Sequence, residues 1–155
     1  MKPTVYLETT IISYLAAWPS RDLVVAARQQ ITHDWWEISA ARFDLCVSQL
    51  VRNEAGRGDA AAAARRMEYL QRARVLDEPE TAVKLALDLV AQGAVPRSAA
   101  SDAAHIAIAT ACGMQYLLTW NCTHINNAER IGAIESVCQR RGLACPRVCS
   151  PEELP

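Results

Sequence analysis

The chain has 155 residues, of which 51% are apolar and 21% charged, and its formal net charge is −1. A chain of this length can bury roughly two thirds of its unfolded surface, so we expect one domain over residues 1–155 that needs no disulfide or structural metal. The near-zero charge counts against tight, non-specific nucleic-acid binding, and no apolar run approaches the ~20 residues of a membrane span.

The first half of the chain alternates strand-like and helical patterns. The apolar run Val5–Leu7 predicts a short buried strand, and Thr9 and Thr10 suit the start of a helix that ends before Pro19. A second helix is predicted from residue 22 to about 39, with a buried face made of Val24, Ala27, Ile31, Trp35 and Ile38. Residues 43–47 form the second predicted strand, and Ser48 caps the helix that follows, from 49 to about 57.

The second half repeats this alternation. An Ala-rich helix is predicted over 59–73, a third strand over 74–76, and a helix over 80–92 with Val83, Leu87 and Val90 on one face. Further helices are predicted from about 101 to 113 and from 127 to 141, and further strands over 116–119 and 146–148. Strands that alternate with helices predict an α/β domain with a mostly parallel sheet.

Acidic residues follow the predicted strands. Glu8 comes directly after the first strand, Glu54 lies about two helical turns after the second, and Asp102 opens the helix before the fourth. Groups just past the ends of parallel strands converge on one edge of the sheet, where open α/β folds place their sites. Carboxylates gathered there repel one another unless a cation lies between them, so the pattern predicts a site for a hard divalent cation.

Other residues have simpler expected roles. The N-terminus lacks the apolar core of a secretory signal, so we expect a cytoplasmic protein with six free cysteines. None of them forms a Cys-x-x-Cys pair, which argues against a zinc cluster. His105 is expected to hydrogen-bond or pack rather than bind metal, and His124 to order the loop after the fourth strand.

Arginine supplies fourteen of the sixteen basic residues. A run of them after the second predicted strand is a candidate phosphate-binding surface, because the planar guanidinium of arginine binds phosphate better than the lysine ammonium does. Its members are Arg52, Arg57, Arg65 and Arg66. The alternative is a solvated helix face.

Four segments of the chain, taken together, resemble PIN domains, and in particular the bacterial VapC-type toxins of toxin–antitoxin pairs. Each segment alone is a weak signal, but they follow in the right order over almost the whole chain. The segments are Val5–Leu15, Ser48–Glu54, Ser101–Ala109 and Leu117–Ile125, and the tail Ser150–Leu154 is also similar.

The resemblance implies a fold, a cofactor and a site. The fold would be a three-layer α/β/α domain with about five strands in the order 3-2-1-4-5. The activity would be that of a ribonuclease that uses Mg²⁺ or Mn²⁺ and a metal-activated water, leaving 5′-phosphate and 3′-hydroxyl ends. The metal would be held by Glu8, Glu54 and Asp102, with Asn121 in the fourth acidic position and Thr9, Thr10, Thr119 and His105 in support.

The chain departs from the family pattern twice. Glu8 stands where Asp is common, and Asn121 stands where Asp is frequent. Three carboxylates hold less charge than four, so we expect one firmly bound ion and a second only with substrate.

The resemblance also implies a cognate antitoxin, and we expect a homodimer. Trp18 and Trp36 are candidates for the antitoxin groove or for the dimer interface, because aromatic residues anchor interfaces.

Three other functions are alternatives, and the residues argue against the last two. One is an inactive or weak PIN-like domain that binds RNA or protein. A phosphatase would need an Asp nucleophile at the first strand end, where Glu8 stands. A nucleotide-binding module would need a Gly-rich phosphate loop, which does not follow the first strand.

Overall fold

A computed structural model describes residues 1–155. All five strands run parallel in one sheet of order β3-β2-β1-β4-β5, which confirms the predicted order. The strands are β1 (Thr4–Leu7), β2 (Asp44–Val47), β3 (Arg74–Val75), β4 (Tyr116–Leu118) and β5 (Arg147–Cys149).

Seven α-helices connect the strands, and two short 3₁₀ helices, Ala40–Arg42 and Arg97–Ala99, precede β2 and the sixth α-helix. The α-helices are α1 (Thr9–Ala16), α2 (Leu23–Ile38), α3 (Gln49–Ala55), α4 (Ala60–Leu70), α5 (Glu80–Ala91), α6 (Ala100–Ala111) and α7 (Ala128–Arg140). None of them is both long enough and apolar enough to cross a membrane. All six cysteines are free.

The register of the sheet brings three strand ends together. Tyr6 of β1 lies opposite Cys46 of β2, and Leu7 lies opposite Leu118 of β4. The backbone N–H of Glu8 continues this ladder by donating to the Leu118 carbonyl at 3.0 Å. The residues that follow these strands therefore start from neighbouring points on the carboxyl edge of the sheet.

Side-chain caps start the helices that leave this edge. Ser48 accepts from the backbone N–H of Val51 and caps α3, while Glu8 accepts from the N–H of Thr10 and caps α1. A carboxylate at this point also meets the positive end of the helix dipole. Glu8 is thus held by both the strand before it and the helix after it.

The predicted buried face of α2 is right for Trp35, which is buried, and wrong for Val24 and Ile38. Val24 and Ile38 are 61% and 77% exposed, whereas Thr32 and Trp36 are buried. Trp36 packs edge-on against Tyr69, with their ring centroids 5.6 Å apart, and is therefore unavailable as an exposed interface residue. The helix is rotated so that a hydroxyl and an indole face the core, a choice that apolar periodicity does not predict.

The apolar face predicted for α5 is mostly exposed rather than buried. Val83 and Leu87 are 62% and 66% exposed, and the helix instead buries Ala82, Leu85 and Leu89. Both sides of this helix carry apolar residues at helical spacing. The pattern therefore could not distinguish the face that packs on α6 from the face that is left exposed.

Candidate active site at the carboxyl edge of the sheet

Glu8 is a buried carboxylate with hydroxyl and amide partners. Its side chain is 4% exposed, and its Oε2 accepts from the Thr10 hydroxyl at 2.5 Å, the Thr119 hydroxyl at 2.8 Å and the Thr10 N–H at 3.1 Å. The Thr10 hydroxyl accepts in turn from the Trp120 N–H. Its other oxygen, Oε1, accepts no hydrogen bond from the protein.

Glu54 reaches the same edge from α3. Its Oε1 accepts from the Thr9 hydroxyl at 2.7 Å and lies 2.6 Å from His105 Nε2. Thr9 is the neighbour of Glu8, so one turn of α1 touches both acids. Burial raises the pKa of Glu54, but the hydrogen bonds from His105 and Thr9, aided by the positive charge of Arg57, outweigh it and hold that pKa below its ordinary value of 4.5. Glu54 is therefore ionised near neutral pH.

Asp102 lies in the first turn of α6, one turn before His105. Its Oδ2 is 2.9 Å from His124 Nδ1, and the two side chains are 18% and 27% exposed. This pair closes the site from the loop after β4. Sequence reasoning missed it, because the expected role of His124 was to order its own loop. The available signal was the position of His124, three residues past Asn121, which follows a strand end.

Asn121 turns its side chain toward the loop backbone. Its Oδ1 accepts from the N–H groups of Thr123 and His124 at 3.2 and 3.0 Å. Its own N–H donates to the Thr119 hydroxyl at 2.9 Å. In this arrangement Asn121 shapes the turn that presents His124, and a part in catalysis stays a prediction.

The site has three acidic side chains and no lysine or arginine paired with them. None of the five ion pairs in the structure joins Glu8, Glu54 or Asp102 to a lysine or arginine, and the two histidines are their only basic partners within 4 Å. A buried carboxylate without a cation is unfavourable, because burial removes the hydration of its charge. Hydroxyls, a backbone amide and the two histidines are therefore the groups that offset this cost.

The donor set suits a hard divalent ion. Each of the three carboxylates engages one oxygen in hydrogen bonds to the protein and leaves the other without a protein partner. No group of three or more His, Cys, Asp or Glu side chains is arranged so that all of them could bind one metal ion. Mg²⁺ requires only one or two protein carboxylates, since it keeps several waters and takes substrate phosphates as ligands.

The arginine run is partly engaged in the fold. Arg65 donates from Nε to the Ala16 carbonyl and stacks over Trp18, with its guanidinium 4.7 Å from the ring centroid. Arg66 donates from Nε to the Ala55 carbonyl at 2.7 Å. Both thereby bind carbonyls at helix C-termini, where a positive charge is favourable. Arg57 is exposed and Arg52 half-buried, so RNA binding by the run stays a prediction.

Sequence comparisons find no relative. No protein-family model matches the chain, and no curated protein matches it.

Solved structures, by contrast, share its fold. VapBC2 from Rickettsia felis, bound to a DNA fragment from its promoter, is similar with a TM-score of 0.60 and 14% identity over 95% of this chain and 98% of that one. VapBC-1 from nontypeable Haemophilus influenzae is similar with a TM-score of 0.60 and 16% identity, over 96% of this chain and 98% of that one. Mycobacterium tuberculosis VapC20, a toxin that cleaves the sarcin–ricin loop, is similar with a TM-score of 0.56 and 18% identity. The match covers 74% of this chain and 87% of that one.

Identities this low establish a common architecture and no more. The sheet order and the enclosing helices agree with the PIN domain that the sequence motifs indicated. The chain thus has the PIN-like α/β/α fold of the VapC toxins, and its structural neighbours are proteins of that kind.

Proposed function

We propose that this protein is a Mg²⁺- or Mn²⁺-dependent endoribonuclease, the toxin of a toxin–antitoxin pair, which hydrolyses RNA phosphodiesters with water as the nucleophile. One observation carries the proposal. Glu8, Glu54 and Asp102, which are far apart in the chain, are linked through hydrogen-bonded neighbours at one edge of the sheet, and each leaves a carboxylate oxygen free. The likeness in fold to a toxin described as cleaving the sarcin–ricin loop supports the same function.

The residues of the chain would divide the work as follows. One or two of the free oxygens of Glu8, Glu54 and Asp102 would hold the ion directly, and the others would orient water molecules around it. The bound ion would supply Lewis-acid polarisation of the phosphoryl group and a lowered pKa for the attacking water. Hydrolysis forms a bond from the water oxygen to phosphorus and breaks the P–O3′ bond, and the 3′ oxygen leaves as a hydroxyl after it gains a proton.

The threonines would keep the acids in place during this reaction. Thr10 and Thr119 bind one oxygen of Glu8, and Thr9 binds one oxygen of Glu54. Fixed carboxylates need little reorganisation when charge develops on the phosphoryl group, which is the main source of electrostatic catalysis.

A nuclease assay tests the proposal directly. The wild-type protein should cleave a panel of tRNA, mRNA and rRNA substrates in Mg²⁺ or Mn²⁺ and lose activity in excess chelator. Asp102→Asn should lose at least 100-fold in rate, because a metal ligand carries several kcal/mol of transition-state stabilisation. Its thermal unfolding should stay close to that of the wild type, since Asn can still hydrogen-bond His124. Undiminished cleavage by the variant in chelator would exclude the mechanism.

The proposed partner is an antitoxin, because two of the similar structures are VapBC complexes. Trp18 is 74% exposed beside α1 and is the aromatic residue most available for such a partner. Expression of the wild type in a bacterial host should arrest growth, and expression of Asp102→Asn should not. Equal growth of both strains would argue against the toxin function. It would not bear on the nuclease function, which the cleavage assay decides.

A further inference from the structure

A chain of buried hydrogen bonds leads away from Glu54 into the core. His105 Nε2 contacts Glu54 Oε1 at 2.6 Å, and His105 Nδ1 contacts the Tyr6 hydroxyl at 2.7 Å. The Tyr6 hydroxyl contacts Ser48 Oγ at 2.8 Å. Tyr6, Ser48 and His105 are all at most 1% exposed. We call these three residues the relay; they come from β1, the cap of α3, and α6.

Each polar atom of the relay has a protein partner, so the hydrogen bonds can be assigned directions. Glu54 Oε1 also accepts from the Thr9 hydroxyl, and a carboxylate oxygen can only accept, so His105 donates to it from Nε2. Ser48 Oγ accepts from the Val51 N–H, which leaves its own proton free for Tyr6. When the ring carries its proton on Nε2 alone, Nδ1 has a lone pair and accepts the single proton of Tyr6. If a neutral ring instead donated from Nδ1 to Tyr6, its Nε2 would carry a lone pair, which would face Glu54 Oε1 at 2.6 Å and be repelled by it.

We propose that the relay is a positioning device for the active site: Tyr6, oriented by Ser48, holds His105 as an Nε2–H donor that fixes Glu54 Oε1 and turns Oε2 toward the bound cation. The inference rests on the proposed function and deepens it. Neither Tyr6 nor Ser48 was singled out as a site residue by the sequence motifs. Partners one step removed from a ligand commonly change metal affinity or activity 10- to 100-fold when they are removed.

The relay is more than core packing. A buried tyrosine, serine and histidine add polar groups where apolar residues would fill the same space, and each needs a partner to offset its desolvation. All three are satisfied by one another and by Glu54, and the chain ends on the one acid in the site that is bound by a buried histidine. Asp102, in contrast, is bound by the partly exposed His124.

The first test is Mn²⁺ affinity, measured by electron paramagnetic resonance of free Mn²⁺ well below the unfolding temperature. Tyr6→Phe removes only the hydroxyl and should weaken Mn²⁺ binding about tenfold. Tyr69→Phe is the matched control, because the Tyr69 hydroxyl makes no hydrogen bond and its ring packs on Trp36. It should bind Mn²⁺ like the wild type. Equal affinity of Tyr6→Phe and the wild type would overturn the inference.

A pair of His105 variants separates positioning from packing. His105→Gln keeps an N–H group at about the distance of Nε2, and His105→Leu fills similar space without a donor. Positioning predicts that Gln retains affinity within about threefold of the wild type while Leu loses tenfold or more. Equal losses in the two variants would mean that His105 only packs, and would overturn the inference.

The third readout needs no metal. Long-range ¹H–¹⁵N NMR of the metal-free wild type should show His105 protonated at Nε2, and Tyr6→Phe should change the Nδ1 shift. A neutral ring protonated at Nδ1 alone would overturn the inference even if the protein binds Mn²⁺ and cleaves RNA. If the wild type binds no Mn²⁺, the proposed function fails separately, and the NMR result still decides the direction of the relay.

Discussion

Glu8→Gln is expected to leave the stability of the metal-free protein nearly unchanged but to abolish its stabilisation by metal. Glu8 Oε2 accepts three hydrogen bonds from Thr10 and Thr119, and an amide oxygen can accept all three. Hydrogen bonds to a charged group are roughly twice as strong as neutral ones, so the change weakens them by about 3 kcal/mol in total. It also removes a charge that is 4% exposed and has no cation beside it, which recovers several kcal/mol of desolvation. The two effects oppose each other, so the metal-free free energy of unfolding should change by at most about 2 kcal/mol.

The metal response should change far more. An ion that binds only the folded state at 100 times its Kd stabilises it by about 2.7 kcal/mol. For a chain of this length that raises the Tm by about 5–11 °C. Thermal unfolding of the wild type should show this rise as Mn²⁺ is titrated, and Glu8→Gln should show little or none. Glu37→Gln, at an exposed position on α2, is the control and should respond like the wild type. A full Tm rise in Glu8→Gln would refute the reasoning that makes this carboxylate a ligand.

Two further predictions concern stability. Thr32 is fully buried and accepts from the Trp120 indole N–H at 2.8 Å. Thr32→Val leaves that donor unpaired and should lower the free energy of unfolding, measured in urea, by about 1–3 kcal/mol. Unchanged stability would contradict the assigned contact. The Ser150 N–H donates to the Glu153 carboxylate and lowers the pKa of that carboxyl below 4.5. The stability that the ionised Glu153 contributes is therefore present above pH 4.5 and is lost as the pH falls through its lower pKa in the folded protein. Glu153→Gln should therefore make unfolding less dependent on pH below 4.5, and an unaltered pH profile would show that the contact is absent in solution.

Local patterns were enough to predict the order of the elements. Short apolar runs and helical spacing predicted five strands and the helices between them, and the edge shared by parallel strand ends predicted where Glu8, Glu54 and Asp102 would gather. Most boundaries moved by one to three residues, as for α4, predicted over 59–73 and found at Ala60–Leu70. These features depend on interactions within a few residues, which is why the sequence contains them.

The packing faces could not be predicted in this way. Apolar spacing favoured Val24 and Ile38 of α2 as buried residues, but the helix turns Thr32 inward to meet Trp120, which is 88 positions away. The same spacing favoured Val83 and Leu87 of α5, which are exposed. A helix with apolar residues on two sides has two possible faces, and the neighbouring elements decide between them.

The sequence by itself determined the α/β architecture and the set of acids at the edge of the sheet, because periodicity is a local property and alternating strands and helices imply parallel strands that end at one edge. Only the tertiary structure decided how those acids are held. His105 meets Glu54 across 51 positions and Tyr6 across 99, and His124 meets Asp102 across 22. Such contacts depend on helix rotation and side-chain direction after the sheet has formed, and no spacing along the chain records them.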